Sequence, residues 1–138
     1  MRCSLKDIER VMRILDQHYK DDPIDVRKAF SFSLWRPDRY VLMPSENTVF
    51  LLEPHGERAW SVHVATTRHN PRISSDTIAA AKWMFKNVSN CDEIIGIPPG
   101  GRRDVSLYAR RFCRALRGEW KDNTCRIRRL SWHLLQQQ

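Results

Sequence analysis

The chain has 138 residues, of which 41% are hydrophobic and 29% charged, and it carries a net charge of +8. That size and balance fit one soluble globular domain with a core of its own. No apolar run approaches the ~18 residues a membrane span needs, and Met1-Arg2-Cys3-Ser4 leads straight into a charged amphipathic pattern, which predicts no signal peptide and a cytoplasmic location.

Ser4 is a candidate N-cap with Asp7 three residues on, and Ile8, Val11, Met12, Leu15 and Tyr19 recur at helical spacing. Residues 5–19 are therefore predicted as an amphipathic helix. Asp22-Pro23 is expected to open a second helix, with Val26, Ala29, Phe30 and Leu34 as its buried stripe. Short apolar runs follow. Tyr40–Met43 and Thr48–Leu52 flank the turn Pro44-Ser45-Glu46-Asn47, and Pro54-His55-Gly56-Glu57 leads into Arg58–Ala65. Three successive antiparallel strands are predicted there, with Trp60, Val62 and Val64 on one face of the last.

Ser74 or Ser75 is expected to cap a third helix with the stripe Ile78, Ala81, Phe85 and Val88. Glu93–Ile97 reads as a short buried strand. After Pro98-Pro99-Gly100-Gly101 comes a fourth helix, with Val105, Tyr108, Phe112 and Leu116 inward and Arg110, Arg114 and Arg117 outward. Cys125–Leu135 is predicted as a last strand with a bulge near Arg128-Arg129. Residues 1–135 are expected to form one domain, and 136–138 a disordered tail.

Charge is uneven along the chain. From Gly101 to Gln138 there are ten Lys/Arg against three Asp/Glu, a balance of +7, while the first hundred residues carry +1. The arginines at 102, 103, 110, 111, 114, 117, 126, 128 and 129 suggest an acidic partner, with weak nucleic-acid contact as one form of it. Cys3, Cys91, Cys113 and Cys125 form no C-x-x-C pair and have no histidine at ligand spacing. The expectation is four free thiols, no disulfide and no metal site.

The predicted order is helix, helix, three strands, helix, strand, helix, strand. It resembles the GNAT acyltransferase fold over roughly residues 39 to 120, through Val62-His63-Val64 with the basic loop after it, and through Ile95-Gly96-Ile97-Pro98 followed by Val105–Arg111. The fold this implies is a single α/β (α+β) domain, a central mixed but mostly antiparallel sheet flanked by about four helices. The resemblance also implies that Val64, Thr66, Arg68, Arg72, Ser74 and Ser75 would hold acetyl-CoA. In that family a loop with two glycines gives backbone N–H groups to the cofactor's phosphates. Here Arg68-His69-Asn70-Pro71-Arg72-Ile73 has no glycine, Pro71 removes a donor, and Asp76 is expected to compete with an anion for the helix dipole. Tyr108 either belongs to the buried stripe or resembles the tyrosine that reprotonates the leaving thiolate. Glu53 and His63 are the candidates for a general base.

Cys3–Ile8, Tyr40–Asn47 and Trp83-Met84-Phe85 resemble segments of the small head-assembly proteins of short-tailed, lambda-like bacteriophages. That resemblance implies a non-catalytic morphogenesis protein in the host cytoplasm or on the virion. It would bind viral structural or assembly proteins and need no cofactor. The alternative is a divergent N-acyltransferase that uses acetyl-CoA.

Overall fold

A computed structural model describes residues 1–20, 36–67, 70–98 and 103–136, apart from the side chains of 103–106, 108 and 133–136. The helix expected from Asp22 to Leu34 lies outside the described residues. Two compact units are present, Met1–Glu53 with His63–Ala80, and Pro54–Val62 with Ala81–Gln138.

In the first unit, Asp7 Oδ2 accepts the Ser4 N–H at 2.9 Å, which closes a 3-10 turn over Leu5–Asp7 ahead of helix α1, Ile8–His18. Val11, Ile14 and Leu15 are buried at the helical spacing that aims them to one side. They pack with Val41 and Met43 of strand β1 (Tyr40–Ser45), Val49 and Leu51 of β2 (Thr48–Pro54), and Ala65 of β3 (Ala59–Thr66). Each large side chain removed from water there contributes about 1.5–3 kcal/mol. Leu42, Phe50 and Leu52 are buried as well, so β1 and β2 are apolar on both faces. The amino terminus adds an unforeseen edge, with Cys3 N–H donating to Val41 O and Met43 N–H to Met1 O, both at 2.8 Å.

Helix α2 is Ile73–Asn87, and β4 is Glu93–Gly96. The predicted cap moves, since Ser74 and Ser75 lie within the first turn of α2. Its expected stripe also shifts: Ala81, Phe85 and Val88 are buried with Ala80 and Met84, whereas Ile78 is exposed. Helix α3, Arg103–Ala115, is followed by β5 (Glu119–Lys121), β6 (Thr124–Arg128) and helix α4 (Arg129–Gln136). The six strands form one sheet in the order β1-β2-β3-β4-β6-β5. β3 and β4 run parallel, while β1–β2, β4–β6 and β5–β6 are antiparallel. The architecture is thus the mixed, mostly antiparallel α+β fold expected.

Three expectations for the last quarter are corrected. Cys125–Leu135 is not one bulged strand: strand pairing stops at Arg128, and the chain turns into α4, which places Leu130 in solvent and Trp132 inside. Gln136 belongs to that helix rather than to a tail. β5 went unpredicted although Asp122-Asn123 joins it to β6 with φ of 53° and 56°, the positive pair that a type I′ hairpin turn requires. Finally, Cys113 of α3 and Cys125 of β6 are disulfide-bonded, leaving Cys3 and Cys91 free.

The end of α3 explains how the bridge fits. Gly118 N–H reaches back to Cys113 O at 2.7 Å, and Arg117 N–H to Arg114 O at 3.0 Å, which is a Schellman closure. Arg117 takes the left-handed position, φ 55°, where glycine is usual. The glycine stands one residue later for a steric reason: a Cβ on Gly118 would come within 2.7 Å of Cys113 Sγ and 3.0 Å of Arg126 O.

Candidate active site

The segment between β3 and α2 is held by a buried polar network within the first unit. Asn47, at the β1–β2 turn, accepts the Thr67 N–H at 2.9 Å and the Thr66 hydroxyl at 3.2 Å on its carbonyl oxygen. Asn70 Nδ2 donates to Thr48 Oγ1 at 2.7 Å and to Thr66 Oγ1 at 3.1 Å. Its Oδ1 accepts the Arg72 N–H at 2.9 Å. That side-chain bond makes the turn into α2 that a glycine would otherwise make with its backbone.

Asp76 sits at the centre of this network. It is 4% exposed, and Oδ2 accepts the hydroxyls of Ser45 and Thr48, each at 2.7 Å. That oxygen is turned to the β1–β2 turn and is committed to internal donors. What α2 presents to solvent at its start is Pro71, Arg72, Ser74 and Ser75, all exposed. A helix leaves its first amides without intrahelical acceptors, here those of Ile73, Ser74 and Ser75, since Asp76 N–H is the first to bond back, to Arg72 O at 2.8 Å.

The predicted cofactor residues separate into two roles. Arg72, Ser74 and Ser75 gather at that helix start, although the Ser75 hydroxyl already donates to Arg72 O at 3.1 Å. Thr66 is spent internally: besides its hydroxyl contacts, its N–H donates to His18 Nδ1 at 3.2 Å. Val64, expected on one face with Trp60, is exposed near the end of β3, whereas Trp60 is buried. Arg68 lies outside the described residues. Tyr108 falls within α3, but its side chain is outside them too.

The two base candidates are brought together. His63 Nε2 lies 3.6 Å from Glu53 Oε1, and Arg39 Nη2 lies 3.4 Å from Glu53 Oε2. The sequence reading did not single out Arg39, which becomes Glu53's neighbour through the pairing of β1 with β2, where Tyr40 stands opposite Leu52.

Three of the ten carboxy-terminal basic residues, Arg126, Arg128 and Arg129, are engaged locally. Arg126 Nη1 pairs with Glu93 at 2.6 Å, and Arg128 bridges Glu93 and Glu119 at 3.5 and 3.7 Å. Arg129 donates to the carbonyls of Phe85, Val88 (2.8 Å) and Cys91 (2.9 Å), so it closes the carboxy end of α2 rather than facing a phosphate. Arg58 binds Asp92 through Nε at 2.5 Å and Nη2 at 3.3 Å, and holds that carboxyl below its usual range. Arg110, Arg111 and Arg114 remain exposed along α3. No helix among the described residues is long and apolar enough to cross a membrane.

No protein-family model matches the chain, and no curated protein matches it significantly. Solved structures do. The spermidine/spermine N-acetyltransferase SpeG from Vibrio cholerae superposes with a TM-score of 0.62 at 8% identity, over 98% of this chain and 96% of that one. Tetrahymena GCN5 gives 0.58 at 11% identity over 91% of both chains. The aminoglycoside 6′-N-acetyltransferase from Enterococcus faecium gives 0.55 at 12% identity, over 81% of this chain and 71% of that one. At such identities the likeness shows a shared fold, and that fold is the GNAT fold. None of these three is a phage assembly protein. The likeness to phage proteins rests on the 3-10 turn before α1, on β1 with the turn after it, and on three residues of α2.

Proposed function

We propose that the chain is an N-acyltransferase that uses an acyl-CoA donor, with the end of β3 and the start of α2 as its cofactor segment. One observation carries the reading: Asp76 is turned away into the Ser45–Thr48 turn. The first turn of α2 thereby keeps its free amides, Ser74 and Arg72 for an anion, which is the chemistry a CoA pyrophosphate needs. Asn70 supports the same reading, because it organises the loop without glycine. The bound thioester supplies an activated acyl group whose transfer to an amine frees the CoA thiol. The polyamine and aminoglycoside acetyltransferases that share the fold support an amine acceptor.

The test is a melting curve of the full chain with acetyl-CoA, since a ligand that binds only the folded state raises its apparent stability. A rise that Arg72→Ala diminishes is expected, together with release of free CoA when spermidine, an aminoglycoside or a lysine peptide is added. No shift and no release with any acceptor would overturn the reading. The fold would then be a binding module, the role that the missing glycines favour.

A further inference from the structure

We propose that the outer face of α3 is a docking surface for the sugar–phosphate backbone of double-stranded DNA, held by Arg110, Arg111 and Arg114. The assignment is independent of the acyltransferase reading, since none of these residues belongs to the start of α2. Leu107, Arg110, Arg111 and Arg114 follow one another at i, i+3, i+4 and i+7, the spacing that gathers side chains on one side of a helix. All four are exposed, Leu107 to 54%. Cys113, by contrast, is buried and joined to Cys125 of β6. The stripe is therefore carried by a helix whose last turn is fixed covalently to the sheet.

The charge of this face is unmatched, which sets it apart from other arginines of the same unit. Arg126 and Arg128 take up Glu93 and Glu119, and Arg58 and Arg129 take up Asp92. The side chains of Arg110, Arg111 and Arg114 have no carboxylate partner among the described residues. Arg114 lies in the last turn of α3, where a cation suits the helix dipole. Arg110 and Arg111 lie before that turn and gain little from it. Arg114 stands three residues from Arg111 and four from Arg110, spacings at which like charges destabilise a helix. An anion laid over the stripe removes that repulsion.

The composition of the face selects the partner. A protein interface of ordinary size has an apolar centre, and Leu107 is the one large apolar side chain that α3 exposes among the described residues. A nucleic-acid backbone asks only for cations, and the guanidinium fork suits its phosphates. A single strand is held by stacking on aromatic rings, whereas the exposed described side chains of α3 are arginine, leucine and alanine. A helix about 10–12 Å across fits the B-form major groove, about 12 Å wide. Neighbouring residues on a helix point about 100° apart. Arg110 and Arg111 therefore splay to the two sides of the line from Leu107 to Arg114, as contact with both strands flanking a groove requires.

The test is fluorescence anisotropy of a labelled, mixed-sequence DNA duplex titrated with the full chain across a salt series. Three phosphate contacts give a slope of about −2.7 in log affinity against log salt, so a fourfold rise in salt should weaken binding about fortyfold. Each of Arg110→Gln, Arg111→Gln and Arg114→Gln should make the slope shallower by about 0.9, and the triple variant should lose nearly all of it. Arg126→Gln combined with Arg128→Gln also lowers the net charge, but it removes paired arginines and should leave the slope as it is. The triple variant should melt at or above the wild type, because it loses only repulsion. Equal losses from the α3 and β6 variants would trace the binding to net charge and overturn the assignment. A single strand or an RNA duplex bound more tightly than the DNA duplex would overturn it as well. So would poly-glutamate competing as well as the duplex at equal charge, which points to an acidic protein, or a triple variant that melts well below the wild type. Absence of binding to the duplex at low salt has the same force and leaves the acyltransferase reading standing.

Discussion

Asp76 Oδ2 lies 2.7 Å from Thr48 Oγ1, and both side chains are buried. Thr48 stands where β2 leaves its turn, and Asp76 stands one turn into α2, so a single oxygen ties the hairpin to the helix. Ser45 and Asn70 donate to that same oxygen, at 2.7 and 3.4 Å. The bonds are charge-assisted and shielded from water, which makes each worth more than a surface contact.

Removing the acceptor strands its donors. Asp76→Ala should therefore destabilise the fold by about 2–4 kcal/mol, the cost of leaving buried hydroxyls unmet. Asp76→Asn keeps one oxygen and should cost about half as much on the same reasoning. Urea unfolding measures both. Equal stability of Asp76→Ala and the wild type would show that the network does not hold the loop.

What could be read from the residues alone followed periodicity. Val11, Leu15 and the apolar runs at Tyr40–Met43 and Thr48–Leu52 announce their elements, because helix and strand bury side chains with different repeats. A type I′ turn at Asp122-Asn123 was visible in principle, but a three-residue strand leaves too little pattern before it. Leu130, Trp132 and Leu134 alternate like a strand, yet Trp132 meets Phe85 with ring centroids 6.0 Å apart from within a helix. Spacing says nothing about Cys113 and Cys125, since the bridge joins a helix to a strand. Glu53 and His63 could be named singly. Their pairing depends on strand register, as the direction of Asp76 depends on the hairpin it faces.

Arg129 satisfies three carbonyls, those of Phe85 and Val88 at the end of α2 and of Cys91 ahead of β4, with one guanidinium. A lysine ammonium cannot reproduce that fork. Arg129→Lys should lose about 1–3 kcal/mol, from buried carbonyls left without donors, and Arg129→Ala more. A thermal melt reads the loss. Recovery in the lysine variant would mean that charge, not geometry, caps the helix.

The cysteines predict a thiol count. Burial pushes the Cys91 thiol up to about 12 and the Cys3 thiol to about 11, so neither forms much thiolate at neutral pH. Ellman's reagent should react slowly with Cys3 in the native protein and reach Cys91 only after unfolding. Two thiols are then expected without reductant, Cys3 and Cys91, and all four with it. Reduction should lower stability by about 2–3 kcal/mol, the entropy that closing so short a loop removes from the unfolded chain. Four reactive thiols in unreduced, unfolded protein would show that the bridge does not form.

Asp92 sets part of the acid limit. Its carboxyl lies below the ordinary value of 3.8 chiefly because Arg58 hydrogen-bonds it, with the charges of Arg58 and Arg129 adding to the effect and burial opposing it. The unfolded chain therefore binds the proton more readily than the folded one. The resulting stability is fully present above 3.8 and is lost as pH falls through the lower folded value. Arg58→Gln should flatten that part of the acid limb while changing little near neutrality, because the pair is solvent-exposed and screened. Asp92→Asn should flatten it equally, and the double variant should add nothing to either. Unfolding curves collected from neutral pH down through this window decide it. An acid limb of unchanged slope in Arg58→Gln would mean that other carboxylates carry the acid sensitivity.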